Sequence, residues 1–404
     1  MKKIISLILC ICLLSAGITV SAEEKTVSSE CALTDIDVPL DTTETNAAIG
    51  QTLDIKAKSA ILMEPQTGQI LYESNSDEQL APASITKIMS LLLVMEAIDR
   101  GDIDLETVIS ASEHACSMGG SQIWLEPGES MTVDELLKAA VIASANDATV
   151  ALGEKIAGSE EGFVALMNER AKELGMNSTN FVNCTGLDAE GHITTAHDVA
   201  IMSCELIKHE LIKNYSTVWM DSLRDGKSEL VNTNKLVRFY EGTTGLKTGT
   251  TSTAGYCLSA TALRDGMELA AVIMGGETSQ DRFNGAKKLL DYGFANYSFS
   301  KIDSGIKEDL TVEVENGTKK SLLLKADGTV SLLLPKTSSN KIQRKTVLEE
   351  SINAPVKKGE KIGSIDIYIG EEKVGEIPLT ADSDIKKLSF GETFKWILKG
   401  IITL

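Results

Sequence analysis

The chain has 404 residues, 43% of them hydrophobic and 24% charged, which allows two or three domains with a sizeable core. Its formal net charge of −19 argues against a nucleic-acid binder, which presents a basic face. The acidity is spread along the chain and reads as solubility.

Met1-Lys2-Lys3 is followed by an apolar run over 4–14 and the small residues Val20-Ser21-Ala22. That is a secretory signal peptide cut before Glu23, and its apolar run is short for a membrane span. No Cys stands at the cleavage position, so no lipid anchor is expected there. We assign 1–22 to the signal and 23–53, rich in Thr, Ser, Asp and Glu, to a disordered spacer. Beyond the signal, Cys31, Cys116, Cys184, Cys204 and Cys257 form neither a disulfide framework nor a metal motif, although one disulfide stays open.

From residue 57 the pattern changes. Segments 59–63 and 69–73 read as two strands around a turn containing Pro65 and Gly68. Next comes Ala81-Pro82-Ala83-Ser84-Ile85-Thr86-Lys87, leading into an apolar run of helical length over 88–97. A Ser and a Lys three apart share one helix face. In a first helical turn the Ser84 hydroxyl also sits at the positive end of the dipole. A Ser hydroxyl is a weak nucleophile until a base removes its proton, and a Lys of depressed pKa one turn away can do so. Alone, such a tetrapeptide is common.

Residues 113–127 look like a loop. Thr132 with Glu135 forms a capping box for a helix that stops near Ser144-Ala145-Asn146-Asp147. Further helical patterns cover 148–156, 161–174 and 195–208, so about 85–215 is mostly helical. Strand patterns return at 256–262 and 267–274, preceded by Lys247-Thr248-Gly249-Thr250 and followed by a helix over 282–294. A helical block inserted between strands of one sheet fits this order. From about residue 300, short alternating strands at 310–314, 322–324, 330–334, 362–369 and 373–379, with a turn at Asn316-Gly317, describe a separate small all-β domain. In the tail, Phe390, Phe394, Ile397, Leu398, Ile401 and Leu404 share a helical face. About 15 residues span roughly 22 Å, too short for a bilayer core but suited to lying in its interface.

Ser-x-x-Lys, Ser-x-Asn and Lys-Thr-Gly occur in that order, their first residues at 84, 144 and 247. Each is weak alone; together, behind a signal peptide, they are specific. The chain resembles the serine D-alanyl-D-alanine carboxypeptidases, the low-molecular-mass penicillin-binding proteins. The resemblance extends from about residue 57 to the tail and includes Leu125-Glu126-Pro127-Gly128-Glu129 and Asn183-Cys184-Thr185-Gly186-Leu187-Asp188. Family members often have Gly where Ala145 stands and Pro where Cys184 stands, and a methyl at 145 is expected to reshape the cleft slightly.

The resemblance implies an α+β fold. A penicillin-binding/β-lactamase-like catalytic domain over 54–298 combines an antiparallel sheet with an inserted helical subdomain. A β-rich domain over 299–385 and an amphipathic membrane-associating helix over 386–404 follow. It implies Ser84 as nucleophile, Lys87 as its base, Ser144 as proton relay to the leaving amine and Asn146 as the group that orients Lys87 and the substrate amide. Lys247, Thr248 and Arg282 would receive a terminal carboxylate at the Gly249 strand, and the backbone N–H groups of Ser84 and Thr250 would form the oxyanion hole. The implied substrate is the peptidoglycan stem peptide, with β-lactams as covalent inhibitors, no cofactor and no metal. The implied place is the outer face of the cytoplasmic membrane.

A β-lactamase shares these motifs, but class A enzymes deacylate with a Glu in a Glu-x-x-Leu-Asn segment that 154–190 lacks. A D,D-endopeptidase would use the same residues. The four His, His114, His192, His197 and His209, form no His-Glu-x-x-His pattern, and no Gly-x-Ser-x-Gly elbow surrounds a Ser. A silent wall-binding protein would have no need of the complete reacting set.

Overall fold

A computed structural model of the chain describes residues 53–306, 309–326 and 328–391. The signal peptide, all but the last position of the spacer, and the tail helix beyond residue 391 lie outside the described residues. A hairpin of β1 (Ser59–Met63) and β2 (Ile70–Ser74) leads into a helical block: α1 (Lys87–Asp99), α2 (Val133–Ile142), α3 (Asn146–Ala157), α4 (Glu160–Glu173) and α5 (Ala196–Leu206). The sheet resumes with β3 (Thr243–Thr251), β4 (Gly255–Arg264) and β5 (Met267–Gly276), and α6 (Ser279–Asn296) closes the domain. The strand order is β2-β1-β5-β4-β3, all pairs antiparallel. The early hairpin is thus joined to the late strands along β1 and β5, with the helical block inserted between them.

Strand alternation divides the core in two. Ile61, Met63, Ala270, Val272 and Met274 face the helical block, while Ala60, Leu62, Leu269, Ala271 and Ile273 face Leu289 and Leu290 of α6. Covered on both sides, these strands read as continuous apolar runs. The Thr132–Glu135 capping box opens α2 as expected. The last helix begins three residues earlier than its apolar pattern, because Thr278 and Asp281 form a second capping box. The segment 113–127 also contains the short helix Glu113–Cys116, capped by Ser112.

The second domain follows α6 without a linker. Tyr297–Asp303 pairs with Thr329–Pro335, and six further strands form a sheet around Val312, Leu322, Leu324, Ile365, Ile367, Ile377 and Leu379. Tyr297 and Leu333 join the α6 core, so the seam between the domains is packed. Two strands, Ile342–Val347 and Ser351–Asn353, have no alternating apolar signature; the first is a sheet edge carrying Arg344 and Lys345, as edges that resist aggregation do. Asn316-Gly317 starts a five-residue link between Leu310–Glu315 and Ser321–Lys325 rather than a two-residue turn. Among the described residues no helix is long and apolar enough to cross a membrane.

Candidate active site

Ser84 does not sit in the first turn of an α-helix. It lies in the 3-10 turn Ala83–Thr86 that feeds α1, with Ala83 held at φ +49°. Three residues per turn place Ser84 and Lys87 one above the other. Two glycines allow this turn its close neighbours. A Cβ on Gly249 of β3 would lie 2.9 Å from both the Pro82 carbonyl oxygen and the Ser84 nitrogen. One on Gly186, whose φ is +86°, would lie 1.8 Å from the Ala83 carbonyl oxygen. Ser84 itself stays half-buried, open to a ligand from one side.

Lys87 is fully buried. Its Nζ lies 3.1 Å from Ser84 Oγ, 2.5 Å from Asn146 Oδ1 and 2.8 Å from the Thr185 carbonyl oxygen. Among the described residues no carboxylate bonds to it. Burial pushes its pKa down to about 7, against the raising influence of Cys184 and Asp147. A neutral amine has two protons and one lone pair. Asn146 Oδ1 and the Thr185 carbonyl can only accept, so they take both protons, and the lone pair is left for the Ser84 hydroxyl. Burial is the largest cause of the lowered pKa.

The α2–α3 break carries the next group. Asn146 Nδ2 donates to the Gly119 carbonyl at 2.6 Å, which turns its oxygen toward Lys87. Asp147, absent from the sequence-derived site, is fully buried; its carboxylate accepts from the N–H groups of Ile123, Leu125 and Ala148. Ser144 sits at φ +61°, and its buried Oγ has no hydrogen-bond partner among the described residues. Ala145 is fully buried in the helical core rather than lining the cleft, so its methyl meets hydrophobic neighbours.

On β3, Lys247 is buried and donates to the carbonyls of Ala140 and Val141, both at 3.3 Å. These belong to the last turn of α2, where the helix dipole favours a cation. Burial and the Lys87 charge push its pKa well below the usual lysine value. Thr248 donates its hydroxyl to Thr233 at 2.7 Å. Arg282 Nη1 donates to the Gly249 carbonyl, to Thr250 Oγ1 and to the Cys257 carbonyl at 2.9, 2.9 and 3.2 Å. The guanidinium therefore braces the end of β3 and is 8% exposed.

The histidines are dispersed. His114 pairs with Glu160, His197 with Asp77 and His209 with Asp99. His192 is buried beside the turn bearing Ser84: the Val182 N–H donates to its Nδ1, so the neutral ring donates Nε2–H to Thr86 Oγ1 at 2.8 Å. Burial pushes its pKa down to about 4. Cys116, Cys184, Cys204 and Cys257 are free thiols.

The chain that carries this site is similar to known proteins along most of its length. The D-alanyl-D-alanine carboxypeptidase family of S11 peptidases matches residues 43–278, and the C-terminal domain of penicillin-binding protein 5 matches residues 301–387. The D-alanyl-D-alanine carboxypeptidase DacF of Bacillus subtilis is 45% identical over 83% of this chain and 87% of its own length. The chain belongs to the serine-type D-alanyl-D-alanine carboxypeptidases. Penicillin-binding protein 5 of Haemophilus influenzae superposes with a TM-score of 0.73 at 30% identity, covering 84% of this chain and all of that one. Penicillin-binding protein D2 of Listeria monocytogenes, solved in an ampicillin-bound form, superposes with a TM-score of 0.55 at 31% identity over 60% of this chain and all of that one.

Within this enzyme, sequence reasoning missed the groups that act through backbone or through a neighbour. Thr185 contributes only its carbonyl oxygen. Asn183 aims that carbonyl: its Oδ1 accepts from the N–H groups of Thr185 and Gly186 at 3.1 and 2.7 Å, and its Nδ2 donates to the Leu187 carbonyl at 2.8 Å. The run Asn183–Asp188 was recognisable as a family segment without revealing this task. Asp188 fastens the far end of the loop by accepting from the Thr251 and Thr253 hydroxyls at 2.7 and 2.9 Å.

The contact between Gly186 and the turn bearing Ser84 gives a direct prediction. Gly186→Ala should lower the urea midpoint by the equivalent of about 1–3 kcal/mol of backbone strain and slow penicillin acylation. A variant matching wild type in both measurements would contradict the close approach of the two loops.

Proposed function

We propose that the enzyme removes the terminal D-Ala from peptidoglycan stem pentapeptides through an ester on Ser84, and that β-lactams acylate the same oxygen. The observation that carries this reading is the geometry of Lys87: buried, held by two pure acceptors and turned toward Ser84 Oγ.

In the proposed acylation, Lys87 Nζ takes the Ser84 proton as Oγ adds to the carbonyl carbon of the penultimate D-Ala. The resulting oxyanion is received by the backbone N–H groups of Ser84 and Thr250, fixed donors of the kind that stabilise tetrahedral intermediates. As the C–N bond breaks, the proton on Lys87 passes through the Ser144 hydroxyl to the departing amine. Ser144 suits this role because its Oγ is buried without a competing partner among the described residues. In deacylation, water adds to the ester and gives a proton to Lys87. That proton returns to Ser84 Oγ as the ester bond breaks, releasing the shortened peptide.

The leaving D-Ala ends in a carboxylate, which favours cations and hydroxyls at fixed positions. Thr248 and Thr250 offer the hydroxyls, Arg282 the positive potential, to which Lys247 adds when protonated, and Gly249 lets the strand lie against the Ser84 turn. Asn146 orients both Lys87 and the substrate amide. Export by the signal over 1–22 and attachment to the outer face of the cytoplasmic membrane by the tail from about residue 389 complete the proposal, supported by the apolar stripe of that tail. The expected start of the anchor helix at 386 gives way to the β domain, where Lys387 bridges Gly317 and the Leu388 N–H donates to the Asn316 carbonyl.

Intact mass spectrometry after incubation with penicillin should show one adduct, located on Ser84 and lost in Ser84→Ala. Label on a peptide lacking Ser84 would overturn the mechanism. D-Ala release from a pentapeptide should exceed cleavage of a cross-linked dimer; the reverse order would make the enzyme an endopeptidase.

The pH dependence has a fixed sign. Lys87 is a base only when neutral, and its pKa lies at about 7. The penicillin acylation rate should therefore rise about tenfold per pH unit below that value and level off above it. Stopped-flow acylation between pH 5 and 9 measures this, and a flat profile would contradict it.

For the tail, a chain truncated after Asp384 should move from the membrane pellet to the supernatant. Unchanged pelleting would refute the anchor.

A further inference from the structure

Between Gly119 and Leu125 the chain crosses the Asn146 side of the cleft. The Ser121 carbonyl accepts from the Asn146 backbone N–H at 2.7 Å, and the Gly119 carbonyl accepts from its Nδ2 at 2.6 Å. A Cβ on Gly120 would lie 2.9 Å from the same Nδ2. A few residues on, Ile123 and Leu125 turn inward, each 5% exposed. Their N–H groups both donate to the Asp147 carboxylate, the closest bonds at 3.1 Å.

Trp124, between them, therefore points outward and is 74% exposed. Its φ of +60° lies in the left-handed region that a bulky side chain avoids. Arg224 holds this conformation from the other side. Its Nη1 donates to the Ile123 carbonyl at 2.8 Å and its Nη2 to the Trp124 carbonyl at 3.4 Å. Nε and Nη2 also pair with Glu129 at 2.7 and 3.0 Å.

A single exposed apolar side chain is ordinary. This one differs in how it is held. A fully buried carboxylate next in sequence to Asn146, an Arg–Glu pair and two buried aliphatic neighbours all fix a strained backbone whose one solvent-facing product is an indole. Strain kept by its surroundings at the edge of a reacting site points to a ligand.

We propose that Trp124 determines specificity by taking the apolar CH surface of the stem-peptide residues on the acyl side of the bond cleaved at Ser84. This rests on Ser84 being the nucleophile. The β3 wall, with Thr248 and Arg282, is matched to the terminal carboxylate, which leaves the opposite wall to the rest of the peptide. Trp124 is three residues from Ser121, which bonds to Asn146, so its Cα lies within roughly 10 Å of that contact. That is within reach of the nearest one or two acyl-side residues, whereas a sugar lies beyond the four acyl-side residues, about 14 Å when extended.

The test compares wild type, Trp124→Gly and Trp124→Phe on a short N-acyl-D-Ala-D-Ala, on the free pentapeptide and on the disaccharide pentapeptide. Gly suits the positive φ and removes the whole side chain. With Gly, KM for the free pentapeptide should rise about tenfold, with kcat changing less and the short substrate penalised less; Phe should restore most of the affinity. Unchanged KM on the pentapeptide, or a loss seen only when the disaccharide is present, overturns the proposal. If the Gly variant fails to melt cooperatively, Trp124→Phe against Trp124→Leu decides: Phe binding more tightly than Leu supports an aromatic platform, and equal KM values refute it. A wrong reading of Ser84 would show instead as a misplaced penicillin adduct in the wild-type enzyme.

Discussion

The structure turns on an amine kept away from water. Lys87 ends in a pocket where two oxygens accept its protons and no described carboxylate bonds to it, so its neutral form is the one the surroundings favour. An ion pair here would stabilise the charged form and leave a poor base. The chain places its acidic residues at the cleft accordingly. Asp147, the buried carboxylate next in sequence to Asn146, is spent on backbone N–H groups of the 119–125 loop. It orders the wall of the cleft and makes no bond to Lys87.

The rest of the fold can be understood as holding three segments against that amine. The first is the 3-10 turn bearing Ser84, pressed between Gly249 and Gly186, where side chains would collide with its backbone. The second is the α2–α3 break, which delivers Asn146 and leaves the carbonyls at the end of α2 to receive Lys247. The third is the Asn183–Asp188 loop, folded by the Asn183 amide so that the Thr185 carbonyl meets Lys87 and secured by Asp188 to the turn after β3. Arg282, at the start of α6, braces the end of β3 from behind. Each segment comes from a different part of the chain, and the sheet and helical block supply their common frame.

Much of this was legible in sequence, for identifiable reasons. Ser84, Lys87, Asn146 and Lys247 make their contacts at the site through side chains, so their types and order carried the signal. The β1–β2 hairpin was marked by its Pro65 and Gly68 turn, α2 by its capping box, and the apolar strands β4 and β5 by the cover on both faces of the sheet. What stayed hidden acts through the main chain or through a partner remote in sequence. A carbonyl such as that of Thr185 has no residue type. The pairing of Arg224 with Glu129 joins positions 95 apart. The edge strand Ile342–Val347 is polar because solvent faces it, so no alternation marks it. The early start of α6 came from Thr278 and Asp281, a cap outside the apolar pattern.

Lys87 is held near neutrality at physiological pH chiefly by its burial, with no carboxylate bonded to it among the described residues. Heteronuclear NMR titration of the Lys87 side chain, with 13C-lysine labelling and Lys87→Met to assign the resonance, tests it most directly. A Cε inflection at about pH 7 is expected in the free enzyme. An inflection near 10.4, the value of an exposed lysine, would show that Lys87 is charged at rest and would contradict its role as the base.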